Sequence, residues 1–288
     1  MRTFYYVHTG HRIGLDRFRR AAAILNALQD EDITLLTSDY RIAQEARNFG
    51  IKKSVGIDVV RNIPQIAHNG DKLIFDSAEA NPVMLDDMRA YFSAFIRISD
   101  DIGDTKAENE FLISPYLEGK GVCKSIIVDD KYFGDFEKSV EISYFFGDDD
   151  YEKDLEKNIS FIEDLNPHLQ LGFYYFLDYE EMLQNKFSNY FEFDEYDTMI
   201  QQSKILITAS PQAVLDSLAS GTKPIYFQRE DYSQEFIPLF EKLLVPIIYN
   251  YDKKLLKEVL SHIGDINYAN INPKSNKLSS FIKESLNL

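Results

Sequence analysis

The sequence predicts two α/β halves, each a parallel sheet with crossover helices, and three observations carry that expectation. Short β-rich runs alternate with single helical stretches, the pattern of parallel strands joined by crossover helices. The same pattern resumes after an aspartate-rich polar passage at Asp129–Lys138. The length of 288 residues lies between one large domain and two ordinary ones. The predicted division is an N-terminal domain over 1–135 and a C-terminal domain over 136–288, with a terminal helix packing back.

In the first half, Thr3–His8 reads as a buried strand and Thr9–Gly14 as a loop. A helix follows, with Phe18, Ala21, Ala22, Leu25 and Leu28 on one face. Ile33–Thr37 is the next strand, and a helix runs from about Asp39 to Phe49. Lys72–Asp76 is a third strand, Pro82–Tyr91 a helix, and Ala94–Asp100 and Glu110–Ser114 two further strands. In the second half Val140–Phe146 is a strand, Gly147–Asp150 a turn and Tyr151–Leu165 a helix. Leu169–Tyr175 and Lys204–Thr208 are strands, Pro211 to about Ala219 a helix, and Pro224–Phe227 a strand. Leu278–Leu288 reads as an amphipathic helix with Leu278, Phe281, Ile282 and Leu286 on one side. Ligands of such sheets bind beyond the C-terminal ends of the strands, here the loops after His8, Asp76 and Ser99, and a cleft between two halves is the default ligand site.

Composition excludes several classes. With 44% hydrophobic residues the chain has material for a core. The 31 Lys and Arg against 47 Asp and Glu leave a net charge of −16, which repels nucleic acid and anionic membranes on average. Small phosphate ligands stay open. The single cysteine, Cys123, forms neither an intramolecular disulfide nor a cysteine-based zinc site and reads as a structural thiol. The longest apolar runs are strand-sized and the first ten residues lack a signal-peptide layout, so no transmembrane segment is expected and the reading is cytoplasmic.

The most informative segment runs from Ile205 to Phe227. It reads as strand, N-cap Ser210, Pro211 at the first helical position, helix, Gly221 as C-cap, strand. A helix N-terminus at Ser210, Pro211 and Gln212 suits a phosphate, and Asp216 two turns on would hold a ribose diol; the alternative is a well-capped αβ unit without a ligand. Arg12, Arg17, Arg19 and Arg20 form a local basic run, either an anion clamp or a solvated helix face. Asp148, Asp149 and Asp150 either cap the following helix or hold Mg²⁺; the capping reading is favoured and no cofactor is expected. His68, His168 and His262 sit in polar or turn-like contexts. Phe187, Tyr190, Phe191, Phe193 and Tyr196 read as packing residues, with contact to a base as the alternative.

The Ile205–Phe227 segment resembles the donor-site strand–helix–strand of nucleotide-sugar enzymes of the glycosyltransferase-B fold. More narrowly, the chain resembles the UDP-sugar hydrolase family of pseudaminic acid biosynthesis (PseG-like) and its spore-coat polysaccharide relatives. That family opens with Ile-Gly-x-Gly-His-x-x-Arg, and Ile13-Gly14-Leu15-Asp16-Arg17-Phe18-Arg19-Arg20 stands here. Its Phe-Asp-Asp resembles Ser99-Asp100-Asp101, and its Gly-Gly-Thr/Ser-Asp resembles Phe146-Gly147-Asp148-Asp149. The resemblance implies two Rossmann-like domains and a UDP-sugar substrate cleaved at the anomeric C–O bond, in surface or flagellar glycan synthesis. It implies substrate contacts at Gly14, Arg20, Asp100, Gly147, Ser210, Pro211, Gln212 and Asp216. The family's water-activating histidine is matched by Arg17, a permanent cation that cannot act as a base. His11 and Asp16 in the same loop are the replacement candidates. The leading expectation is therefore a UDP-sugar hydrolase with catalytic residues His11, Asp16 and Arg17. A glycosyltransferase using a UDP-sugar donor and a non-catalytic nucleotide-sugar-binding relative are the alternatives.

Overall fold

The computed structural model describes residues 1–79 and 81–288. The chain divides into two compact units: Met1–Gly10, Arg17–Asp130 and Pro273–Leu288 form the first, and His11–Asp16 with Lys131–Asn272 the second.

The first unit holds seven parallel strands: β1 (Thr3–Val7), β2 (Ile33–Thr37), β3 (Ser54–Gly56), β4 (Lys72–Asp76), β5 (Ala94–Ile98), β6 (Phe111–Ser114) and β7 (Val122–Lys124). Their order is β3-β2-β1-β4-β5-β6-β7, so the connections reverse direction between β1 and β4. Every side chain of β1 is buried, as a central strand covered on both faces requires. Helices α1 (Asp16–Ala27), α2 (Tyr40–Glu45), α3 (Ile63–Ile66) and α4 (Pro82–Tyr91) make the crossovers. Asp39 caps α2 by accepting from the Arg41 N–H, and Asn81 caps α4 by accepting from the Met84 N–H with Pro82 next in line. The C-terminal helix, Ser275–Leu286, buries Leu278, Ile282 and Leu286 in this unit, with Phe281 edge-on to Phe111.

The second unit repeats the plan with β8 (Val140–Phe145), β9 (His168–Gln170), β10 (Tyr190–Phe191), β11 (Ser203–Thr208), β12 (Lys223–Gln228) and β13 (Ile247–Tyr249). All pair in parallel in the order β10-β9-β8-β11-β12-β13, and the reversal falls between β8 and β11. Its helices are α5 (Asp154–Lys157), α6 (Leu177–Lys186), α7 (Tyr196–Gln202), α8 (Pro211–Ala219), α9 (Ile237–Lys242) and α10 (Lys253–Ser261). An aromatic core of Tyr144, Phe146, Phe161, Tyr179 and Phe227 joins sheet to helices. The predicted pair of parallel-sheet α/β halves is thus the architecture found.

Several predicted elements differ in extent. β1 and β5 stop at Val7 and Ile98, which leaves His8, Ser99 and Asp100 in loops. The helix expected over Asp39–Phe49 ends at Glu45 and tightens into a 3₁₀ turn closed by Gly50 at φ 82°. The helix expected over Tyr151–Leu165 is only α5 followed by 3₁₀ turns at Ile159–Phe161 and Glu163–Leu165. Leu155 and Phe161 are both buried. The α-helix stops at Asn158, whose φ of −112° and ψ of 21° lie outside the helical region. The strand expected over Leu169–Tyr175 ends at Gln170, because the chain then turns at Gly172 against the β8 loop. The short strands β3, β7, β10 and β13 had no sequence signal strong enough to read.

At Gly172 an added Cβ would stand 2.6 Å from the Gly147 carbonyl oxygen and 2.8 Å from the Asp148 carbonyl carbon. Backbone cannot yield there, whereas at Gly221 (φ +75°) the space is open and only conformational strain opposes a side chain. Gly172→Ala is therefore expected to lower unfolding free energy by about 3 kcal/mol and Gly221→Ala by about 1 kcal/mol. Urea denaturation of the two variants checks the ranking, and equal losses would refute the close backbone approach.

Candidate functional site

Each unit gathers polar side chains where its connections reverse, the place at which open parallel sheets bind ligands. In the first unit the centre is Asp76, the last residue of β4 and 1% exposed. Arg20 on α1 grips it with two hydrogen bonds, Nε to Oδ2 at 3.0 Å and Nη2 to Oδ1 at 2.5 Å, and donates through Nη1 to Asp100 at 2.6 Å. Tyr5 donates its hydroxyl to the same Asp76 carboxylate at 3.1 Å, and the Arg17 Nε stands 3.7 Å from it. Burial disfavours the Arg20 cation, but Asp100 and Asp76 more than reverse that effect, so its pKa lies above the ordinary arginine value.

His8 follows β1 and is tied by its N–H to the Asp76 carbonyl at 3.0 Å. Its Nε2 faces Glu79 at 3.8 Å, and its buried Nδ1 has no hydrogen-bond partner among the described residues. Glu79 is held in turn by the Tyr6 hydroxyl and by Ser77 Oγ. Burial lowers the His8 pKa, Glu79 opposes the change and Arg17 adds to it; the net shift is downward, so the imidazole is neutral near pH 7. His8 was not among the predicted site residues. Its position at the end of the first strand was the available signal.

In the second unit the β8 strand opens into Phe146-Gly147-Asp148-Asp149-Asp150. Gly147 has φ 120°, and an added Cβ would stand 2.6 Å from the Tyr232 hydroxyl. The turn is clamped by Arg229, 4% exposed, whose guanidinium lies between the Phe146 and Tyr232 rings at 4.2 and 4.3 Å from their centroids. Its Nη1 donates to the carbonyls of Phe146 at 3.2 Å and Asp149 at 2.7 Å. The three aspartates diverge. Asp148 accepts from the Leu15 N–H at 3.2 Å, and Asp149 Oδ1 stands 3.1 Å from His11 Nδ1. Asp150 accepts from the Asp154 and Leu155 N–H groups at 2.8 and 3.1 Å and from the Tyr179 hydroxyl at 2.5 Å. Asp150 thus performs the predicted capping of the following helix. Among the described residues no group of three or more His, Cys, Asp or Glu is placed to hold a metal ion.

Helix α8 starts as predicted. Ser210 Oγ accepts from the Ala213 N–H at 3.1 Å, Pro211 takes the first helical position, and the Ser210 hydroxyl donates to Asp16 Oδ1 at 2.5 Å. Asp216, 1% exposed, accepts from Gln212 Nε2 at 2.8 Å and from the Tyr196 hydroxyl at 2.9 Å, tying α7 to α8. Phe187, Phe191 and Tyr196 are buried as packing residues, while Tyr190 and Phe193 are about 40% exposed.

The predicted site residues therefore fall into two groups. Arg17, Arg20 and Asp100 belong to the first unit, where Arg20 and Asp100 are paired within a buried network. His11, Gly14 and Asp16 join Gly147, Ser210, Pro211, Gln212 and Asp216 in the second. Of the basic run, Arg19 and Arg20 are buried rather than solvated, and Arg12 is exposed, 3.3 Å from Glu152. Cys123 is buried in the first unit, and burial pushes its thiol pKa up, in keeping with a structural role. No helix among the described residues is long and apolar enough to cross a membrane.

No family model and no curated protein matches the sequence. Solved structures do match its fold. The UDP-GlcNAc 2-epimerase of Methanocaldococcus jannaschii, solved with UDP-GlcNAc and UDP, superposes with a TM-score of 0.61 at 10% identity over 99% of both chains. The spinosyn rhamnosyltransferase complexed with thymidine diphosphate gives 0.57 at 10% identity over 99% of this chain and 96% of that one. The calicheamicin glycosyltransferase gives 0.56 at 10% identity over 99% and 95%. The fold is thus of glycosyltransferase-B type, with two Rossmann-like α/β domains.

Two predictions follow from the first-unit geometry. Arg20→Leu strands the Asp76 and Asp100 carboxylates and is expected to cost about 3–5 kcal/mol of stability, read by urea denaturation. Unfolded His8 binds a proton as pH falls through about 6.5 while folded His8 still resists it, so the native state loses stability on acidification through that window. His8→Gln is expected to flatten that part of the stability–pH curve, and an unchanged slope would refute the assignment.

Proposed function

We propose that the chain is a glycosyltransferase that takes its sugar from a nucleotide-sugar donor, with UDP as the expected carrier. The observation that carries this reading is the His11–Asp149 pair, set in the loops that also bring Asp16 to the first turn of α8. The structural neighbours with this fold include several sugar transferases, which favours transfer over the hydrolysis implied by the sequence resemblance.

In this reading the first turn of α8, Ser210–Gln212, receives the donor's diphosphate. The positive end of the helix dipole stabilises the charge that develops on the leaving phosphate. Gly147 lets the Tyr232 hydroxyl close against the β8 turn. Asp149 holds Nδ1 of His11, so that Nε2 presents its lone pair and removes the proton from the acceptor hydroxyl. The acceptor oxygen bonds to the anomeric carbon as the bond to the phosphate oxygen breaks. Asp16 anchors the loop to Ser210, and Asp216 organises α8 from within. Arg20, Asp76 and Asp100 fix the ends of the first-unit strands, with His8 as the second imidazole to test.

Hydrolysis is the second reading. The His11 side chain is 39% exposed, open enough for water to replace an acceptor, and the order of the family-like motifs favours it. Release of UDP from a panel of UDP-N-acetylated sugars separates the two: release without an acceptor means hydrolysis, and release that requires one means transfer. His11→Ala is expected to lower kcat on the order of 10²–10⁴-fold while leaving the calorimetric Kd for UDP within about twofold. Failure of the wild-type protein to bind UDP or thymidine diphosphate would sink both readings.

A further inference from the structure

Beside His11 the second unit carries aromatic side chains that its core does not use. Phe176 is 52% exposed and Tyr151 51% exposed, and their ring centroids lie 6.3 Å apart. The His11 imidazole stacks on Phe176 at 6.0 Å with an interplanar angle of 18°, and lies 4.8 Å from the Tyr174 ring. Arg12 places its guanidinium over the Tyr151 ring, 4.5 Å from its centroid. Its backbone holds the left-handed conformation at φ 64°, a strained geometry for arginine.

These rings are held rather than loosely displayed. Asp150 binds the N–H groups that follow Tyr151 and also the Tyr179 hydroxyl on α6, the helix that Phe176 begins. Tyr174 is fixed by its N–H to the Asp148 carbonyl at 2.8 Å. Tyr151 and Phe176 thus form a contiguous, half-exposed aromatic surface.

We infer that the Tyr151–Phe176–His11 surface is a stacking site for the pyranose ring of an uncharged glycan, the acceptor of the proposed transfer. This rests on the transferase reading for its place in the reaction, though not for the binding itself. Charge decides among occupants. Asp149 and Glu152 border the rings, Arg12 is paired with Glu152 at 3.3 Å, and the chain carries −16 overall, which opposes anionic ligands. A pyranose offers an apolar C–H face to the rings and an edge of hydroxyls to Glu152 and His11. A ring stacked there presents a hydroxyl to the imidazole that would deprotonate it.

The test is saturation-transfer NMR on the full chain with three neutral trisaccharides, chitotriose, cellotriose and maltotriose, at millimolar concentration. Stacking on aromatic faces discriminates weakly among pyranoses, so at least one probe is expected to bind. Phe176→Ala and Tyr151→Ser, both at exposed positions, are each expected to weaken it on the order of tenfold. UDP binding to the same variants is measured by calorimetry and is expected to stay unchanged. No transfer to any probe, or equal transfer in both variants, overturns the inference. Loss of UDP binding in the variants overturns it in favour of a nucleobase site, and conversion of a dimer to a monomer overturns it in favour of a second copy. Trisaccharide binding by a protein that fails to bind any nucleotide would leave the stacking site standing and the donor reading refuted.

Discussion

Each unit brings several carboxylates to the C-terminal ends of its parallel strands, and each sets a buried arginine among the loops there. Arg20 bridges Asp76 and Asp100 at the ends of β4 and β5, and Arg229 grips the carbonyls of the β8 turn between two aromatic rings. Buried carboxylates need cations or N–H and O–H donors to offset their desolvation, and here Arg20 serves Asp76 and Asp100 while backbone N–H groups and the Tyr179 hydroxyl serve Asp150. Arg229 in turn ties the β8 turn together through its bonds to the Phe146 and Asp149 carbonyls. The strand-end loops carry His8, His11, Asp149 and the Gly147 turn.

The second unit shows how little chemistry the fold itself must supply. A capped helix start offers a positive end, a glycine turn lets the Tyr232 hydroxyl pack against the backbone, and a carboxylate stands 3.1 Å from an imidazole nitrogen. Close backbone packing at Gly172 against Gly147 keeps these parts in register, because a contact between main chains has no rotamer to relax. Asp150 then links the loop bearing Tyr151 to helix α6 and Phe176, so the aromatic surface shares the same frame. Fold alone fixes none of the substrates, since many unrelated activities use the same architecture.

Much of this was legible from residue order. The strands at Thr3–Val7, Ile33–Thr37, Lys72–Asp76 and Ser203–Thr208, the Ser210–Pro211 helix start and the capping role of Asp150 were readable, because each rests on local spacing and local hydrogen bonds. The broken helix after Asp150 was not, because the spacing of Leu155, Ile159 and Ile162 reads as one continuous helical face while the backbone leaves the helical region at Asn158. His8 escaped notice because a single histidine after a strand has no pattern. Its neighbour Glu79 is distant in sequence, and burial with Arg17 sets its protonation.

By itself the sequence determined the fold class: alternating apolar runs and helices can bury their surfaces only as parallel sheets covered on both faces, and capping residues mark where the helices begin. It also named His11, Asp16 and the α8 start as the places to look. Tertiary structure alone decided which carboxylate meets which cation, why Gly172 must be glycine, and which aromatics stay outside the core. Those outcomes depend on partners tens of residues apart, and no local pattern encodes a contact between two backbones or the loss of water around a charge.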